Sequence, residues 1–105
     1  MNQDTAKGTA PRAAIIDDLT WHMSAEQLAD LENHGPTPPT GWSFEIGQRV
    51  NHVGGGWPAT VVGRAAGTKS TDGSFSREIT WIKLDNAPEG TGNLLMMCTE
   101  SLVAA

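Results

Sequence analysis

A mainly β fold, with one short α-helix ahead of a small antiparallel barrel, is the fold class that this sequence predicts. The chain has 105 residues, 38% of them hydrophobic, which is enough for one small core but not for a large internal active-site cavity. Ten of the twelve glycines lie after position 40, where they separate short runs of β-type residues. A Pro-rich stretch at residues 36–41 lies between these runs and a helical pattern that precedes them. Because prolines disfavour both helices and central strands, this stretch is predicted to be a boundary.

These observations predict three parts. Residues 1–13 contain hardly any bulky apolar side chains, and we expect them to form a mobile tail. Residues 14–40 are predicted as a helical arm followed by the Pro-rich linker. Residues 41–105 are predicted as the barrel domain.

The helix is predicted over residues 24–34. Ser24 and Gln27 have the spacing of a capping box, and Met23 can pack on Leu28 as a hydrophobic staple. The Gly-Pro pair after residue 34 ends the pattern. So short a helix must dock to persist, and we expect it to dock on its own barrel rather than to act as a partner-binding arm.

Four or five strands are predicted in the barrel half. They are Arg49–Val53, Ala59–Ala65, Phe75–Leu84, Asn93–Cys98 and, after a tight turn at Glu100–Leu102, a last extended Val103. Glycines at positions 54–56 permit positive φ between the first two strands. Short antiparallel strands in so few residues can bury their edges as a small barrel, and we predict an SH3-like barrel.

The fourth strand does not alternate between apolar and polar residues. Leu94–Met97 is apolar on both faces, and only one face of a strand can point into so thin a barrel. We expect Leu94 and Met96 to fill the core, while Leu95 and Met97, together with Trp81, form an apolar contact surface that either the N-terminal helix or another protein chain covers. Trp42 and Trp57 are further candidates for this surface, because grooves of SH3-like barrels are often lined by aromatic residues.

Charge and composition exclude several classes of function. A formal net charge of −5 disfavours nucleic-acid and membrane-surface partners. No apolar run approaches the roughly 20 residues that span a bilayer, and no signal-peptide pattern opens the chain. The single cysteine cannot form an intramolecular disulfide. We therefore expect a soluble, cytoplasmic protein.

No group of residues has the spacing of a catalytic or metal site. His22, His34 and His52 do not have the spacing of a helical or hairpin ligand pair, so no metal is predicted. The glycines at 54–56 are not followed by the Gly-Lys-Ser/Thr of a phosphate-binding loop. Cys98 has no basic neighbour in the sequence that would activate it. The sequence therefore predicts no catalytic residue.

The barrel half resembles the type II, plasmid-encoded dihydrofolate reductases. The resemblance rests on Phe44–Val50, Trp57, Val61–Gly63 and Leu102. It implies an SH3-like barrel that assembles as a homotetramer around one central pore and binds dihydrofolate and NADPH. Much of the shared pattern is typical of small barrels in general, so it supports the fold more than the activity.

The sequence departs from that family where the family binds its ligands. The family's pore strand reads Val-Gln-Ile-Tyr, whereas this chain has Leu94–Met97, and the family's pore lysine aligns near His52. Side chains such as Leu95 and Met97 cannot hydrogen-bond a pterin, and a net charge of −5 does not attract anionic ligands.

The leading interpretation is a non-catalytic protein-binding module that uses the apolar strand and the N-terminal arm to bind its own copies or another protein. By analogy of size and charge, it would be an adaptor or inhibitor encoded by a mobile element, with no cofactor. One alternative is an NADPH-dependent, dihydrofolate reductase-like homotetramer, with pore positions His52, Leu95, Met96 and Met97. Another is an acidic mimic of nucleic acid. Its candidate cluster comprises Asp17, Asp18, Glu26, Asp30 and Glu32.

Overall fold

The computed structural model describes residues 23–86 and 94–105. In these ranges the chain forms an α-helix, five strands and a 3-10 helix. The elements are α1 (Ala25–His34), β1 (Arg49–His52), β2 (Ala59–Thr68), β3 (Phe75–Leu84), β4 (Leu94–Cys98), the 3-10 helix (Thr99–Ser101) and β5 (Leu102–Ala104).

The five strands form one antiparallel sheet in the order β4-β3-β2-β1-β5. This order, with a 3-10 helix between the last two strands, is that of an SH3-like barrel. The predicted fold class, a mainly β barrel preceded by one short helix, is therefore confirmed. Among the described residues, β4 and β5 are the two end strands of the sheet and are not paired with each other. The 3-10 helix connects them along the chain.

The strand bounds agree with the predicted ones in β3 and in the described part of β4, and differ in β1, β2 and β5. β2 continues to Thr68, three residues beyond its predicted end, because its last residues pair with the start of β3. β1 ends at His52 because a turn begins there, closed by a 2.8 Å hydrogen bond from the Gly55 N–H to the His52 carbonyl. Asn93 and the predicted mobile tail, residues 1–13, lie outside the described residues.

Helix α1 begins as its sequence predicts. The Ser24 hydroxyl accepts the Gln27 backbone N–H at 3.1 Å, and the Gln27 side chain accepts the Ser24 N–H at 2.8 Å, which completes the capping box. Met23 packs against the cluster that contains Leu28, as a hydrophobic staple does. The helix ends before Gly35, whose φ of −104° is extended rather than left-handed.

Two apolar clusters lie on opposite sides of the sheet. The inner cluster consists of Phe44, Val50, Ala59, Val61, Ile82 and Leu102. The outer cluster consists of Leu28, Val62 and Leu94 and lies under α1. Val61 and Val62 belong to different clusters because successive side chains of a strand point to opposite faces. A β-bulge between Val61 and Gly63 then keeps Gly63 on the outer side with Val62. The helix thus docks on its own barrel, as expected.

Candidate functional site: the outer face of β3 and β4

The strand register defines which side chains of β3 and β4 share a face. Trp81 pairs with Met96 and Ile79 pairs with Cys98, and directly opposed residues of antiparallel strands point to the same side. We use the name outer face for the side chains on the side that carries α1. They are Arg77, Ile79, Trp81 and Lys83 of β3 and Leu94, Met96 and Cys98 of β4.

The predicted arrangement of β4 is wrong, because its two faces are exchanged. Ile82 is fully buried in the inner cluster and pairs with Leu95, so Leu95 points inward with it. Leu95 and Met97 both pack against the inner cluster. Met96 points outward and its side chain is 58% exposed. Leu95 and Met97 therefore do not share a face with Trp81.

An apolar row crosses the outer face from the helix to the edge of the sheet. Leu28 is fully buried over Gly63 of β2, Gly63 pairs with Trp81 of β3, and Trp81 pairs with Met96 of β4. Burial decreases along this row, since Trp81 is half-buried and Met96 is exposed. Helix α1 covers the beginning of the row and leaves its end open to solvent.

Cys98 closes one end of the outer face and has a cationic neighbour. The Arg77 guanidinium, two residues before Ile79 on β3, donates to the Cys98 Sγ at 3.3 Å. Cys98 has no basic neighbour in the sequence. Arg77 reaches it because β3 and β4 pair in this register. The centre of the outer face offers an indole, aliphatic groups and a thioether, with Lys83 beside Leu94 and the Arg77–Cys98 pair at its two ends, so its centre is suited to excluding water.

The other two candidate tryptophans lie in different surroundings. The Arg64 guanidinium stands 5.1 Å from the ring centroid of Trp42, a cation–π geometry. Trp57 is 43% exposed, and its ring centroid is 5.5 Å from that of His52. Trp42, Trp57 and Trp81 thus each have their own set of neighbours.

The four candidate pore positions do not form one surface within the chain. Leu95 and Met97 face the core, whereas Met96 faces outward. His52 ends β1, and its Nδ1 accepts the Gly54 N–H at 3.0 Å.

The candidate acidic cluster is also divided. Asp17 and Asp18 lie outside the described residues. Glu32 does not point to solvent, because it forms a bidentate ion pair with Arg64 of β2 in which both side chains are largely buried. Asp30, in contrast, is exposed beside His34.

Arg64 was not singled out from the sequence, although it links three parts of the molecule. Its guanidinium binds Glu32 of α1, donates to the Phe44 carbonyl at 2.9 Å and stacks on Trp42. The arginine therefore fixes both the helix and the segment that precedes β1 to β2. An arginine within a run of small residues of β2 was the only signal for this role.

No protein-family model, curated protein or solved structure matches this chain. Within the residues that the structure describes, no helix is long and apolar enough to cross a membrane. In the same part of the chain, no three metal-ligating side chains come together.

Proposed function

We propose that this protein is a non-catalytic protein-binding module, and that its binding element is strand β4 with the open end of the outer face. The observation that carries the proposal is the position of Met96, which is 58% exposed on a strand at the end of the sheet. Among the described strands, β4 pairs only with β3. Its other edge can therefore accept a further strand.

The composition of β4 supports this role. Its five residues, Leu94–Cys98, include no charged residue and no proline, the two features that most often protect an edge strand from pairing. A methionine at the centre of such a strand adapts its shape to many apolar surfaces. The Trp81 ring beside it extends the contact area inward.

The partner that best fits this strand is a second copy of the chain. Met96 is the middle residue of β4. Antiparallel pairing of two β4 strands about a two-fold axis therefore places Met96 opposite Met96 of the other copy, and Leu94 opposite Cys98. The apolar centres of the two outer faces would then lie side by side. A five-residue strand buries little area. The dimer therefore belongs to the weak complexes, whose interfaces bury less than about 1,200 Å² of total surface.

Light scattering after size-exclusion chromatography, over a range of protein concentrations, tests the proposal. The wild-type chain should show an average mass that rises with concentration. The variant Met96→Glu should remain monomeric, because a charge at the centre of the pairing strand must be desolvated in the dimer.

The matched control is Val103→Glu, which changes another exposed apolar residue on β5 in the same way. This control should associate like the wild type. A wild-type chain that stays monomeric at every concentration, or equal losses in both variants, would show that β4 is not the self-association element.

A further inference from the structure

A second apolar region lies beside α1, away from β4. It is a groove of about 570 Å³ between the helix and the far part of β2. The helix contributes the side that carries Gln27 and Leu31, and β2 contributes Ala65 and Ala66. Met23, the residue ahead of the helix cap, lines the same groove.

The groove is apolar along its floor and open to solvent. Met23, Gln27 and Leu31 follow each other at intervals of four residues, so they lie along one side of the helix. Leu31 remains 40% exposed there, although it is a large apolar residue next to Leu28, the buried residue of the helix. The small side chains of Ala65 and Ala66 leave the space that gives the groove its volume.

We propose that residues 13–22 of the same chain dock in this groove. The first argument is chain continuity, because residue 22 is bonded to Met23, which itself lines the groove. An occupant that begins at the groove loses less freedom on binding than a separate molecule.

The second argument is composition. Apart from Met1, the bulky apolar residues that precede Met23 are Ile15, Ile16, Leu19 and Trp21. All four lie in the last eight residues before the groove. A segment with this pattern has apolar side chains to bury, and the groove has apolar surface to cover.

The third argument is length. From Ile15 to Met23 there are eight residue steps, which span about 12 Å as a helix and at most about 29 Å when fully extended. The helix side that lines the groove, from Met23 to His34, runs for about 16 Å. Ile15 and Leu19 can therefore reach the groove in either conformation.

Methyl NMR on the full-length chain tests this docking. We expect nuclear Overhauser contacts between the methyl groups of Ile15 or Leu19 and those of Ala65 and Ala66. The double variant Ile15→Ser/Leu19→Ser should lose these contacts and shift the methyl resonances of Leu31, Ala65 and Ala66. The control Thr5→Ala/Thr9→Ala, with the same number of changes outside the apolar run, should leave the resonances unchanged.

A mixed sample of differently labelled chains identifies the source of the segment. Contacts within one chain support the proposal, whereas contacts only between chains would assign the groove to the segment of a second copy and overturn it. Unshifted groove resonances in the Ile15→Ser/Leu19→Ser variant would also overturn it. The Met96→Glu variant should keep the contacts within the chain, because the groove includes no residue of β4, so this result is separable from the fate of the proposed function.

Discussion

Leu28 occupies the space that a side chain on Gly63 would need. A Cβ atom built on Gly63 would lie 2.8 Å from the Leu28 Cδ2 and 3.3 Å from its Cβ and Cγ. Leu28 is fully buried, so it has little room to move away. The absence of a side chain at position 63 is therefore what lets α1 lie directly on β2.

The variant Gly63→Ala should lower the free energy of unfolding by about 1–3 kcal/mol, the usual cost of adding a methyl group to a packed site. Urea denaturation followed by tryptophan fluorescence measures the change. Gly67→Ala is the matched control on the same strand, because the nearest atoms to its added Cβ are at 3.7 Å, an ordinary contact distance. Equal effects of the two substitutions would show that loss of glycine, and not contact with Leu28, determines the cost.

The pair Thr80 and Thr99 connects β3 to the 3-10 helix inside the barrel. Their hydroxyl oxygens are 2.7 Å apart and both residues are buried. Thr80→Val or Thr99→Val alone should cost about 1–3 kcal/mol, because each leaves the other hydroxyl buried without this partner. The double variant should cost less than the sum of the two. A double-mutant cycle from urea denaturation measures this difference, and strict additivity would contradict the coupling.

Arg49 and Asp85 link β1 to the turn after β3, and this pair predicts a pH dependence. The guanidinium holds Asp85 in a bidentate ion pair and also donates to Thr60 at 2.7 Å. The hydrogen bonds from Arg49 lower the pKa of Asp85 below its usual 3.8. A lowered folded-state pKa stabilises the protein above the unfolded-state pKa, and this contribution is lost as the pH falls further.

Asp85→Asn should therefore reduce the loss of stability between pH about 5 and pH about 2. The Asp85 side chain is 35% exposed and that of Arg49 is 49% exposed, so solvent screening limits the effect to less than about 1 kcal/mol. Urea denaturation at several pH values measures it. Thr60→Val, which keeps the carboxylate, should retain the wild-type pH dependence, and an unchanged profile in Asp85→Asn would contradict the assignment.

The helix and the long hairpin could be predicted from the sequence because their signals are local. The capping box joins Ser24 and Gln27 across three residues, and the bounds of β3 follow from a continuous β-type run with turns on both sides. The position of α1 on the sheet was predicted only in outline. The contact of Leu28 with Gly63 joins residues 35 positions apart, and no periodicity within either element specifies it.

The orientation of β4 could not be predicted from the sequence for a physical reason. A strand that alternates between apolar and polar residues shows which side faces the core, but Leu94–Met97 is apolar at every position. The pairing of Ile82 with Leu95 decides the orientation, and the sequence of neither strand alone specifies that register. The ion pair of Arg64 with Glu32 escaped prediction for a similar reason, since its partners meet only after the helix has docked.

The inward orientation of Leu95 and Met97 can be tested directly. Both side chains pack against the inner cluster, so the double variant Leu95→Ser/Met97→Ser should be strongly destabilised. Truncating a fully buried Leu or Met side chain costs about 2–5 kcal/mol. Leu95 and Met97 are half-buried, so each loss should lie near or below the lower end of that range, and two such losses are still a large fraction of the stability of a small domain. Met96→Ser on the same strand should change stability by about 0.5 kcal/mol or less, as exposed positions usually do. Urea denaturation of the three proteins at low concentration, where association is absent, measures both effects. A Met96→Ser variant as unstable as the double variant would show that Met96, and not its two neighbours, points into the barrel.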